Sequence, residues 1–162
     1  NEIKERVKKA LSYTKILEYS KHETHLLSGG QKQRLAIAGV LAMDPEYLVL
    51  DEPTSMLDFS GRKEILEIIY DLKRNHKTAV LLATHSIAEA INADRVYVLD
   101  SGKIVYQGKP EELLVNVDLL DRLQIKPLPI TSLAFSLIEA GIDISSSILT
   151  VDEMVEALCL LN

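Results

Sequence analysis

Tyr47-Leu48-Val49-Leu50-Asp51-Glu52 joins four apolar residues to two acids. A short unbroken apolar run suits a strand covered on both faces, as parallel strands between layers of helix are. The two carboxylates then stand at the C-terminal edge of the sheet, where open α/β sheets hold their ligands. A hard divalent cation prefers oxygen donors and keeps several waters, which makes Asp51 the expected metal ligand. Glu52, one residue on, is the expected general base for an attacking water. A plain acidic turn, Asp51-Glu52-Pro53, is the other reading of the same residues.

Working downstream, Ile65, Ile68, Ile69 and Leu72 recur at helical spacing, and residues 78–83 read as a second strand buried on both faces. Strand, helix and strand together make a right-handed crossover unit. His85 follows at once, in Ala83-Thr84-His85-Ser86, so its imidazole falls at the same sheet edge as Asp51 and Glu52 and can donate to a phosphate. His22, His25 and His76 have no comparable setting. Residues 87–91 suit a short helix. Residues 95–99 and 103–107 flank Asp100-Ser101-Gly102 as a hairpin that is expected to close the edge of the sheet. Beyond Pro110 the pattern is helical, with stripes at Ile130, Leu133, Ala134, Leu137 and Ile138 and at Val151, Met154, Val155 and Leu158. Thr150 and Glu153 form the capping box of the last helix.

Upstream, Leu35, Ala38, Leu41 and Ala42 hold a 3.6-residue period over residues 28–42, stopped by Asp44-Pro45. Ile3, Val7, Ala10 and Leu11 mark an amphipathic helix ending near Tyr13. The expected organisation is α/β, with helical residues 1–43, an α/β core over 44–115 and a small α-helical region over 116–162. The chain has 162 residues, 47% hydrophobic and 26% charged, enough for one real core. Its formal charge is −6 with scattered lysine and arginine, so nucleic acid is a disfavoured partner. The single cysteine, Cys159, excludes an internal disulfide; lying between Leu158 and Leu160, it is expected in the core. No apolar run approaches the roughly 18 residues that span a bilayer, and no signal peptide is visible, so a cytoplasmic or membrane-associated protein is expected. Residues 1–14 read as the middle of a longer polypeptide.

Leu27-Ser28-Gly29-Gly30-Gln31 immediately precedes a helix, so its N–H groups and the positive end of the helix dipole face whatever lies in front. Two glycines keep side chains away from an approaching anion, and the Ser28 hydroxyl adds a donor. Taken alone, the stretch reads equally well as an S-x-x-Q capping box. Asp58 is read as the N-cap of the next helix, a role compatible with a second one. The phosphate-binding pattern G-x-x-x-x-G-K-[ST] occurs nowhere: Gly102-Lys103 and Gly108-Lys109 lack both the upstream Gly and the following Ser or Thr.

In this order, residues 27–31, Leu48-Val49-Leu50-Asp51-Glu52-Pro53-Thr54-Ser55, the Asp58 loop and residues 83–86 resemble the ATPase subunit of ABC transporters. The resemblance implies an incomplete P-loop NTPase core, RecA-like with a mainly parallel sheet, preceded by part of the helical signature subdomain. It implies ATP and Mg²⁺, with Asp51 serving the metal, Glu52 the base and His85 sensing the γ-phosphate. Ser28, Gly29, Gly30 and Gln31 would bind ATP held by a partner subunit, and Asp58 would be the D-loop acid at the dimer interface. Residues 35–43, Ser55-Met56-Leu57-Asp58 and the tail over 119–160 are similar to the energy-coupling-factor ATPases of the CbiO/EcfA group, although Phe59 stands where the family often has Pro. That likeness implies a pair of ATPase subunits held partly by the tail. A transmembrane coupling protein and a membrane substrate-binding component complete the implied assembly, at the cytoplasmic face of the membrane. Its work would be uptake of a vitamin or of a metal ion such as cobalt or nickel. Without a Walker A loop, the chain by itself is expected neither to hold nor to hydrolyse ATP. A soluble ABC-fold ATPase acting on nucleic acid, and a noncatalytic dimerisation module acting through residues 116–162, are the rival readings.

Overall fold

Ala10 and Leu11, the last apolar pair of the first stripe, seat helix α1 (Glu2–Tyr13) in a cluster with Leu27 and with Ala38 of helix α2 (Gly29–Leu41). Ile3 and Val7, earlier in the same stripe, stay exposed. A computed structural model describes residues 2–75 and 78–161 of the protein, so His76 lies outside the described residues. By contact the chain divides into two compact units, Asn1–His85 and Ser86–Asn162.

In the first unit, strand β1 (Tyr47–Asp51) runs parallel to strand β2 (Ala79–Ala83), with Leu48 opposite Val80 and Asp51 opposite Ala83. Between them in sequence lies the 17-residue helix α3 (Phe59–Asn75), whose Ile65, Ile68, Ile69 and Leu72 are buried against Leu48, Leu50 and Ile37. Both strands were expected to be covered on both faces, and they are not. Leu48 and Leu50 are buried, but Tyr47, Val49 and Leu81, pointing the other way, are exposed. Side chains alternate along a strand, so one helical layer covers only every second residue. Tyr13 ties α1 to α3: its hydroxyl donates to Asp71 Oδ2 at 2.7 Å and reaches the Ile68 carbonyl at 3.4 Å. Burial first, and the neighbouring carboxylate second, raise its phenol above the ordinary value.

In the second unit, strands β3 (Val96–Asp100) and β4 (Lys103–Gly108) make an antiparallel hairpin. Ser101 and Gly102 both have positive φ, 49° and 75°, which is the backbone of the turn that matches strand twist. Among the described residues the hairpin is a two-stranded sheet of its own. Residues 87–90 form one 3-10 turn. Helices α4 (Pro110–Leu114), α5 (Val117–Arg122), α6 (Pro129–Glu139) and α7 (Val151–Cys159) follow. Their cores are Leu114, Leu128 and Leu149, and then Ala134, Ile148 and Met154. The expected capping box starts α7: Thr150 Oγ1 accepts from Glu153 N at 3.2 Å and Glu153 Oε2 from Thr150 N at 3.0 Å. Cys159 is exposed rather than in the core. Helix α7 turns Met154 inward, and five residues further on the helix has rotated by about 140°. No helix among the described residues is long and apolar enough to cross a membrane.

Candidate functional site

Glu52 continues β1 by one residue, its N–H donating to the Ala83 carbonyl at 2.9 Å, and then leaves the strand with φ of 47°. A long side chain seldom adopts this left-handed backbone, so it has to be held there. Ser55 does so from the far side, donating to the Glu52 carbonyl through its Oγ at 3.0 Å and its N–H at 3.3 Å. Because β1 and β2 are in parallel register, His85, two residues beyond β2, comes to Glu52 across 33 residues of sequence. His85 Nδ1 lies 2.8 Å from Glu52 Oε1. An ionised carboxylate can only accept, so Nδ1 carries the proton. The second oxygen, Glu52 Oε2, is buried without a partner. Asp51 closes β1 beside them as an exposed carboxylate.

At the start of α2, Gln31 N donates to Ser28 Oγ at 3.3 Å, and Ser28 N donates to Gln31 Oε1 at 2.8 Å. The capping box is therefore real, yet it leaves the anion reading intact. It engages the N–H groups of Ser28 and Gln31, while those of Gly29 and Gly30 remain for an outside acceptor and the Ser28 hydroxyl keeps its own proton to donate. Cβ atoms built on Gly29 and Gly30 would each come within 4.0 Å of Leu57, and that on Gly30 within 4.0 Å of Gly61 Cα. Asp58 caps α3 as expected, its Oδ1 accepting from Gly61 N at 2.8 Å.

A family model described as ABC transporter matches residues 1–55. The energy-coupling factor transporter ATP-binding protein EcfA1 of Clostridium novyi (strain NT) is 49% identical over 162 residues, which is 100% of this chain and 58% of that protein. Its counterpart from Clostridium perfringens (strain 13 / Type A) is 48% identical, over 99% of this chain and 57% of that protein. The chain belongs to the ABC transporter ATP-binding family. It spans under three-fifths of the length of these curated relatives. Among solved structures, cbiO1 from Clostridium perfringens, part of the ABC transporter complex cbiONQ, matches with a TM-score of 0.67 at 34% identity, over 83% of this chain and 53% of that one. A dimeric ATP-binding cassette, MJ0796, bound to ADP and Pi, matches with a TM-score of 0.57 at 31% identity, over 65% and 46% of the two chains.

The fold joins Glu52 to His85, and packs Gly29 and Gly30 on Leu57 beside the Asp58 cap. Among the described residues, no hydrogen bond or ion pair joins Ser28 or Gln31 to Asp51, Glu52 or His85. No group of three or more His, Cys, Asp or Glu among the described residues could enclose a metal. Mg²⁺ fits Asp51 nonetheless, since this ion usually takes one or two carboxylates and completes its shell with water and phosphate oxygens. Ser55 and Leu57 entered the sequence reading only inside quoted motifs, with no role of their own, and Gly61 escaped it although it is a glycine in the first turn of a helix.

Proposed function

We propose that this chain supplies the signature helix, Walker B acids, D-loop and switch histidine of an ATP-hydrolysing subunit in an energy-coupling-factor importer. The observation that carries the reading is the Glu52–His85 bond at the C-terminal end of parallel strands, with one carboxylate oxygen left over. In this mechanism His85 holds Oε1 and fixes the carboxylate plane, while Oε2 takes the proton of the attacking water. Asp51 would hold Mg²⁺, which when bound would supply charge neutralisation for the transferred phosphoryl group. Gly29 and Gly30 N–H groups and the Ser28 hydroxyl bind the γ-phosphate of ATP held by a second ATPase subunit, with Gln31 closing the cap behind them. Asp58, at the foot of the same contact, faces the subunit interface.

The partners follow from the same reading: a second ATPase subunit, a transmembrane coupling protein and a membrane substrate-binding component, with the ATPase peripheral at the cytoplasmic face. The cargo is a vitamin or a metal ion such as cobalt or nickel. Helix α7 supports pairing, because Val151, Val155 and Leu158 are exposed on it. Replacing Glu52 by Gln in the complete subunit tests the mechanism. Nucleotide binding is expected to persist while turnover falls by about 10²- to 10⁴-fold, the usual contribution of a general base. Wild-type turnover in that variant would remove Glu52 from this role.

A further inference from the structure

The first turns of α2 and α3 lie side by side, and the contact continues up both helices. Gly30 abuts Gly61. One turn further along each, Arg34 Nη1 meets Glu64 Oε2 at 3.0 Å. The offsets, four residues on α2 and three on α3, keep each pair on one helix face. Another turn on, Ile37 and Ile68 are buried in a common cluster at 2% and 4% exposure. The seam thus starts at the anion-facing end of α2 and at the Asp58 cap of α3. The Arg34 side chain is only 16% exposed against 41% for Glu64, and its Nε is buried without a partner. Exposed ion pairs contribute little. This one differs, because loss of Glu64 leaves a largely buried cation uncompensated.

We infer that Arg34 is a positioning residue: through Glu64 it fixes the Ser28-Gly29-Gly30 end of α2 against the D-loop helix, so that the signature and Asp58 approach a partner's nucleotide as one body. The inference rests on the reading of Ser28, Gly29 and Gly30 as phosphate-facing. The two glycines set how closely the helices approach. They permit sliding and rotation, which the directed bond from Arg34 to Glu64 removes. Arg34 itself touches neither substrate nor reacting atoms. A shift of about 1 Å in such donors is enough to cost about 10²-fold in rate.

The test uses the complete subunit with Arg34→Met, Arg34→Lys, Glu64→Gln and, as a control, Glu52→Gln, measuring kcat, KM for ATP and the thermal midpoint of each. Arg34→Met and Glu64→Gln are expected to lower kcat roughly 10- to 100-fold, with KM little changed because the nucleotide is held on the opposite subunit. Arg34→Lys keeps a cation facing Glu64 and is expected to recover most of the loss. A purely structural role would shift the midpoint without this split between kcat and KM. If Glu52→Gln abolishes turnover while folded Arg34→Met and Glu64→Gln turn over like wild type, the positioning role is overturned and the ATPase reading stands. If Glu52→Gln turns over normally, the ATPase reading fails and the inference with it.

Discussion

Replacing Asp58 by alanine separates its local duty from the interface role proposed for it. Asp58 Oδ1 accepts the Gly61 N–H at 2.8 Å, one of the four amides that the first turn of α3 cannot satisfy for itself. Loss of such a cap costs about 1 kcal/mol, within a range of about 0.5–2. Asparagine caps equally well and forfeits only the charge–dipole attraction, a few tenths of a kcal/mol at this exposed position. Gly61 supplies an internal check. A Cβ there would lie 2.9 Å from Asp58 Oδ1, too close for the carboxylate to stay where it caps. The helical preference of alanine, up to about 1 kcal/mol, is then offset by the lost cap, and Gly61→Ala is expected to be near neutral. In an Asp58→Ala background the obstacle is gone, so the same change should stabilise by about 0.5–1 kcal/mol. Urea titration followed by circular dichroism at 222 nm reads all four corners of the cycle. Additive effects, or an Asp58→Ala variant as stable as wild type, would refute the reasoning and leave the carboxylate to the interface alone.

Two further expectations concern single groups. Glu153 accepts from Leu149 N and Thr150 N, the first contributing most, and its carboxyl is held below the ordinary value. The stabilisation of α7 is therefore complete above the unfolded value of about 4.3 and fades as pH falls through the lower folded one; carbon-detected titration of Glu153 should show the depressed midpoint, and Glu153→Gln should flatten the acid side of the stability profile. Tyr13→Phe removes a 2.7 Å bond to a carboxylate in a half-buried setting and should destabilise by roughly 1–2 kcal/mol in the same urea assay. Because the Tyr13 phenol is raised in the folded chain, wild-type stability should also decline above about pH 10, where the unfolded chain ionises first, and the Phe variant should lose that component.

The elements and the residues of the candidate site were legible for the same reason: both are written in short-range pattern. The run from Tyr47 to Glu52, the cap of α3 at Asp58 and the capping boxes at Ser28 and Thr150 each declare themselves within six residues. Even the meeting of Glu52 and His85 could be anticipated, because parallel pairing of their strands carries both to one edge. Periodicity tells which side chains share a face, but not what covers that face. Hence Tyr47, Val49 and Leu81 read as core and stand exposed, as does Cys159. The turn residues of the hairpin likewise specify β3 with β4 and say nothing of a third strand. Tyr13 with Asp71 and Arg34 with Glu64 leave no trace in sequence, as each joins residues 30 or more apart and no local rule links them.

The left-handed backbone at Glu52 sets stability against the base role proposed for its carboxylate at a single position. A non-glycine residue held there carries a cost of about 1–3 kcal/mol, which glycine would escape and asparagine would reduce. A library screened only for heat resistance should therefore enrich glycine or asparagine at residue 52 and discard the carboxylate. Selection for turnover should restore it at a lower melting temperature, so the two screens would sort the same library in opposite directions.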